Sequence, residues 1–191
     1  MPAAGGSYAA RMAASPLPVD PAARPADPPA PAPPAGATPG ALVRWMFDIL
    51  NTHRTDPLRV LWTEETRERT PARTYRGPEA IAGYWAGLFA AMPDATFTIQ
   101  AMAEEGETVF VRWRLQGTHS GAEFEGVAAS GKPVDLDGID HIEVRDGRFV
   151  STFAVLDQMQ FARQVGLLPE AGSRLEVGLR RGFNVLARRR A

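Results

Sequence analysis

His119, Asp140 and Asp157 are the residues whose types and positions could move a proton. Each falls in a stretch where apolar and polar residues alternate, the period-two signature of a strand with one buried face. In 108–119, His119 shares parity with Val109, Val111, Trp113 and Leu115. In 133–145, Asp140 shares parity with Val134, Leu136, Ile142 and Val144, while His141 falls with Asp135 and Glu143. In 148–157, Asp157 shares parity with Phe149, Phe153 and Val155. The alternation therefore predicts two carboxyls and an imidazole on the apolar side of neighbouring strands. A carboxyl withdrawn from water has its charged form disfavoured and its pKa raised. That brings it towards the range useful for general acid–base work at neutral pH. An imidazole nearby can relay the proton or stabilise an oxyanion. Structural roles compete with these. Asp157 lies where a strand meets a helix and suits an N-cap. Asp140 could pair with Arg or accept backbone donors, and His119 could bond a loop carbonyl. His53, after the first helix, reads as a solvated end.

The elements that must position these residues are legible from periodicity. Residues 41–53 carry Leu42, Trp45, Met46, Ile49 and Leu50 on one helical face, with Thr38-Pro39 as cap and first-turn proline. A second short helix is predicted over 57–64, and 65–76 reads as a polar, Arg-rich extended connection. Pro78 opens a helix over 78–92 that buries Ile81, Trp85, Leu88, Phe89 and Met92, and Met92-Pro93-Asp94 ends it. Four strands follow, over 95–103, 108–119, 133–145 and 148–157. The turn over 104–107, Ser130-Gly131 and Asp146-Gly147 read as their hairpin connections. Phe97, Ile99 and Ala101 should share one face of the first strand. A helical turn over 158–165 and a helix over 173–190, with Leu175, Leu179, Phe183 and Leu186 as a stripe, complete the chain. Helices followed by an antiparallel meander give an α+β domain, and a curved sheet of this kind leaves an apolar pocket against its helices.

Composition bounds what such a domain can do. Residues 1–40 hold 11 of the 17 prolines and few large apolar side chains, too little to offset ordering entropy, and read as a disordered Pro/Ala-rich leader. That gives a leader at 1–40, a domain at 41–169 and a basic C-terminal helix or tail at 170–191. The net charge of −1 supplies no global field for nucleic acid or membrane. The chain has no cysteine, so disulfides and thiolate chemistry are excluded. Three dispersed histidines without ligand spacing predict no metal site. No Gly-rich phosphate loop or G-x-S-x-G elbow occurs. Without a signal peptide or membrane span in view, a cytoplasmic location is expected.

The pattern over 76–169 resembles the SnoaL-like polyketide cyclase, or ester cyclase, branch of the nuclear-transport-factor-2-like superfamily. It is carried by Arg76-Gly77-Pro78-Glu79-Ala80-Ile81, Met92-Pro93-Asp94, Gly117-Thr118-His119-Ser120-Gly121, Phe124-Glu125-Gly126, Gly131-Lys132-Pro133-Val134 and Phe153-Ala154-Val155-Leu156-Asp157. The resemblance implies a cone-shaped curved antiparallel sheet wrapped around the N-terminal helices, a homodimer, and no cofactor. It also implies a hydrophobic, polyketide-like small-molecule substrate. By the same resemblance Asp157 is the general acid/base of a cyclase or isomerase working through an enolate. His119, with Asp140, would assist. Trp62, Tyr84, Trp85 and Trp113 are candidate walls, joined by Phe153, which stands where the family often has Trp. Two alternatives stay open. One is an epoxide hydrolase using an Asp–Arg–Asp set, for which Arg112 and Arg114 lie on the wrong parity. The other is a non-catalytic ligand-binding or dimerisation module.

Overall fold

Thr38 caps the first helix by accepting the Ala41 amide at 3.3 Å, and Pro39 follows it, so α1 runs over Pro39–Leu50. The computed structural model describes residues 31–189. The expected leader therefore falls mostly outside the described residues; within them, the Pro31 carbonyl accepts the Trp45 indole N–H at 3.2 Å. Leu42, Trp45, Met46, Ile49 and Leu50 are all buried, as their helical spacing predicts. Asn51 ties the end of α1 to the sheet, donating to the Phe97 carbonyl at 2.9 Å and accepting its amide at 2.7 Å. His53 is not a solvated end. Its Nε2 lies 2.7 Å from the Ala95 carbonyl and its ring stacks on Phe89 at 4.5 Å.

After a 3-10 helix over Asp56–Leu61, the segment read as a polar connection forms two short strands, β1 (Arg67–Arg69) and β2 (Thr74–Arg76). The helix α2 covers Gly77–Ala91. Four long strands follow: β3 (Thr96–Glu105), β4 (Thr108–Thr118), β5 (Pro133–Arg145) and β6 (Arg148–Leu156). Two helices close the described chain, α3 (Gln158–Gln164) and α4 (Arg174–Arg188). The sheet is six-stranded in the order β2-β1-β6-β5-β4-β3, and only the β1–β6 pair is parallel. It is curved and unclosed, with α1 against β3 and β4 and α2 against β2, the expected α+β architecture with two strands added to the meander. Thr118 faces Pro133, so the β4–β5 connection is the whole loop 119–132 and not a tight turn at Ser130-Gly131. Among the described residues, no helix is long and apolar enough to cross a membrane.

Two bulges decide which side chains reach the inner face. In β6, Phe149 faces Val144 and Ser151 faces Glu143, leaving Val150 as an extra residue. An extra residue reverses parity beyond it. Phe149 is therefore buried, but beyond the bulge Thr152 and Ala154 point inward while Phe153 and Val155 are exposed. In β3, Ile99 faces Trp113 and Ala101 faces Arg112, so Gln100 is extra. Past it Met102, not Ala101, packs towards the core.

Candidate active site

The inner face of β4, β5 and β6 meets α2 and α3 around a cavity of about 220 Å³. Its wall is aromatic. Trp85 from α2 and Trp113 from β4 meet Phe97 edge-on, at 5.7 and 5.6 Å between ring centres. Tyr84, Phe124 and Phe161 complete the ring. Burial holds the Tyr84 hydroxyl well above the ordinary phenol range, reinforced by the nearby Glu68 carboxyl, so it remains a neutral donor.

Three acidic residues line this apolar space: Glu125, which is exposed, and two that are buried, Asp140 and Glu68. Asp140 lies at the centre of β5, 3 % exposed, on the face its parity predicts. The Trp113 indole N–H donates to its Oδ1 at 2.8 Å. Burial pushes Asp140 from 3.8 up to about 7, and the indole bond, which favours the charged form, pulls the other way. Glu68 lies in β1, 5 % exposed, and its Oε1 has no hydrogen-bond partner. Burial raises it from 4.5 to about 8, and the neighbouring charge of Asp140 adds to the rise. The Trp85 indole pulls weakly against this, with its nitrogen short of hydrogen-bond geometry. The sheet brings the two acids together through β6, because Glu68 faces Thr152 and Asp140 faces Ala154.

Gly138 makes the Trp113–Asp140 bond possible. It faces Trp113 across the β4–β5 ladder, and a Cβ there would lie 2.1 Å from the indole ring. The absent side chain lets the indole lie over the strand and aim its nitrogen two residues on, at Asp140. Gly138→Ala should therefore displace the ring, with an expected stability loss of about 1–3 kcal/mol from overpacking. Near-UV circular dichroism of the tryptophans should change with it. A melt and a near-UV spectrum like those of the parent protein would show that the space is not needed.

Glu68 is the site residue that the sequence reading misses, because it is flanked by Arg67 and Arg69 in a segment that looks solvated. A signal is there nonetheless. Thr66, Glu68 and Thr70 alternate with charged residues, and all three are buried. Period-two spacing in so short a run is weak evidence without an apolar residue in it.

Asp157 is not in the cavity. It is exposed, and its Oδ1 accepts the Gln160 amide at 2.9 Å as the N-cap of α3. The parity that placed it inside is undone by the bulge at Val150. Asp157→Ser, which keeps a cap, should hold both stability and turnover, whereas Asp157→Ala should cost about 1 kcal/mol of stability in thermal melts. Loss of turnover in a fully folded Asp157→Ser protein would restore a direct chemical role.

His119 is fully buried but behind the wall, its ring 5.9 Å from that of Phe161. Its Nδ1 is 3.5 Å from the Ser130 hydroxyl, and Nε2 has no partner. The surrounding Gly-Thr-His-Ser-Gly segment is a clamp. Asp94 accepts the Thr118 amide and hydroxyl, each at 2.7 Å, and the Gly121 amide donates to the Ala91 carbonyl at 2.9 Å. A Cβ at Gly121 would lie 1.9 Å from the Ala90 carbonyl oxygen, so only glycine closes the loop onto the end of α2. The His119 carbonyl accepts the Ser130 and Gly131 amides, at 3.0 and 2.8 Å, which folds the loop back.

Of the other expected wall residues, Tyr84, Trp85 and Trp113 line the cavity. Trp62 is buried in the core away from it. Phe153 is on the outer face, with the Arg69 guanidinium 4.8 Å over its ring. Arg112 and Arg114 also face outward and pair with Asp137 and Asp135, and among the described residues no arginine lines the cavity beside Asp140 and Glu68. Among the described residues, no three His, Asp or Glu side chains are grouped as metal ligands.

A candidate SnoaL-like polyketide cyclase from Jannaschia sp. CCS1 superimposes with a TM-score of 0.63 at 24% identity, covering 69% of this chain and 93% of its own. IdmH, a candidate polyketide cyclase from Streptomyces antibioticus, gives a TM-score of 0.59 at 27% identity over 68% of this chain and 99% of its own. AclR, a candidate hydroxylase from Streptomyces galilaeus, gives 0.63 at 18% identity over 80% of this chain and 95% of its own. No curated protein sequence matches the chain. Residues 40–165, which include α1 but for its first residue, α2, α3, all six strands and both buried acids, match the family described as SnoaL-like polyketide cyclase, and the chain belongs to that family.

Proposed function

We propose that the protein is a cyclase-type enzyme whose own side chains move the protons, with Asp140 as general base and Glu68 as its acid partner. The observation that carries this reading is the pair of buried carboxyls in one aromatic cavity, raised to about 7 and about 8. Two interacting acids in one apolar space part their proton affinities. The proton stays on Glu68, whose Oε1 lacks a donor, while the Trp113 N–H favours the anion at Asp140. Asp140 then takes a proton from the carbon beside a substrate carbonyl. The Glu68 hydroxyl donates to the carbonyl oxygen as it gains charge. The resulting enol carbon attacks a second carbonyl of the same molecule and closes a ring. The proton held by Asp140 passes to the new alkoxide, and Glu68 recovers its own as the first carbonyl re-forms. No net oxidation occurs. Family membership and the candidate cyclases of the same fold support the cyclase assignment. The aromatic wall suits a flat, hydrophobic, polyketide-like substrate.

The test is exchange of the carbon-bound proton in heavy water, followed by NMR on a cavity-sized aromatic 1,3-diketone. Exchange should follow a bell-shaped pH profile with its limbs near the two carboxyl values, about 7 and about 8. Exchange no faster than with buffer alone, for a diketone shown to bind, would overturn the proposal.

A further inference from the structure

The helix α4 has no buried residue, although it is more strongly two-sided than α1 or α2. Leu175, Leu179, Phe183 and Leu186 recur at helical spacing along one side and all face solvent, Phe183 at 71 % exposure. The opposite side carries Arg174, Arg180, Arg181 and Arg188. Over 174–191 the sequence holds six arginines and one acid, so the near-neutral total conceals a basic end and an acidic remainder.

The helix is held at its start. Glu176 accepts from Arg163 of α3 at 2.9 Å and from the Gly172 amide at 2.6 Å. Its amide is capped by Ser173 at 3.2 Å. Arg163 follows Phe161 and Ala162, which line the cavity, and Leu167, just beyond α3, lines it too. Met159, Leu167 and Leu168 in this stretch are themselves exposed apolar residues.

We infer that α4 is a docking surface for an anionic lipid membrane, lying in the interface with its Leu/Phe stripe inserted and its arginines on the headgroups. Charge selects this occupant. A basic helix with a Leu/Phe face gains from both apolar burial and the negative surface potential of such a bilayer. A second α4 would cover the stripe but leave the arginines on the outside without a counter-charge, and the stripe is short and broken by Gly182. Docking would place the segment that lines the cavity beside the phase in which a hydrophobic substrate dissolves. The inference concerns the helix and stands whether or not Asp140 is the base.

The experiment is co-sedimentation of the full chain with vesicles of phosphatidylcholine alone and of phosphatidylcholine mixed with phosphatidylglycerol, at low and high salt. Binding should require phosphatidylglycerol and weaken at high salt. Arg180→Gln with Arg181→Gln should lower the partition roughly thirtyfold, at about fivefold per arginine. Phe183→Asp should abolish it while leaving the far-UV spectrum and diketone binding unchanged, since the side chain is exposed and lies outside the cavity. Equal binding to both vesicle types, or none to either, would overturn the inference. So would a Phe183→Asp protein that changes from dimer to monomer by light scattering with its vesicle binding intact, because the stripe would then be a subunit contact.

Discussion

Asp140→Asn should lower proton exchange and ring closure by about 10²–10⁴-fold while the diketone still binds. The substitution keeps the shape, and the amide oxygen can still accept the Trp113 N–H, so the aromatic wall should remain in place. What disappears is the group that can hold the proton. The loss should appear in kcat with little change in KM, the signature of an interaction used only in the transition state. Glu68→Gln should behave differently. The neutral amide can still donate a hydrogen bond to a developing oxyanion, so a smaller loss is expected, together with disappearance of the alkaline limb of the pH profile. Turnover of Asp140→Asn within a few-fold of the parent, in a protein that melts normally, would remove Asp140 from the mechanism. A protein in which Glu68→Gln is the inactive variant and Asp140→Asn the active one would reverse the two roles.

The contrast between Asp140 and Asp157 shows what a strand pattern can and cannot carry. β5 runs from Pro133 to Arg145 with its alternation unbroken, so Asp140 is found where its parity with Leu136 and Ile142 puts it. β6 looks equally regular in sequence, but Val150 is an extra residue opposite β5. Parity counted from Phe149 is wrong from there on, and it misplaces Phe153 and Asp157 together. Nothing in the local run Phe149-Val150-Ser151-Thr152 marks the bulge, because register is settled by the neighbouring strand and not by the strand itself. Glu68 was hidden for a related reason. Its burial depends on β1 pairing in parallel with a strand more than 80 residues later, a contact that no local window contains. The Gly117–Gly121 segment was legible as a motif, but its glycines answer to the carbonyls at the end of α2, and His119 sits inside that clamp behind Phe161. The sequence pattern thus identified the helices, the long strands and one of the two acids. The partner acid came from long-range pairing.

Holding two acids in an apolar cavity should make the protein less stable as pH rises. Glu68 and Asp140 have folded-state values near 8 and 7, against 4.5 and 3.8 for the unfolded chain. A carboxyl raised by folding keeps its proton in the native state after the unfolded chain has released it. Its contribution is therefore fully present below the unfolded value and is lost progressively up to the folded one. For Asp140 that window runs from about 4 to about 7, and for Glu68 from 4.5 to about 8. At 1.36 kcal/mol per unit, the combined loss is on the order of several kcal/mol, an upper figure for a pair that shares its proton. Glu68→Gln cannot ionise, so its melting temperature should fall less than that of the parent across this window. The gap should widen towards pH 8, at about 2–4 °C for each kcal/mol in a chain of this size. Thermal melts at intervals from pH 4 to pH 9 would measure it. If the parent and Glu68→Gln proteins fall in parallel, Glu68 does not carry the proton, and the acid side of the mechanism goes with it. If the gap opens as expected, the instability belongs to the site: the fold tolerates a carboxyl without a donor because the chemistry needs one that is still protonated near neutrality.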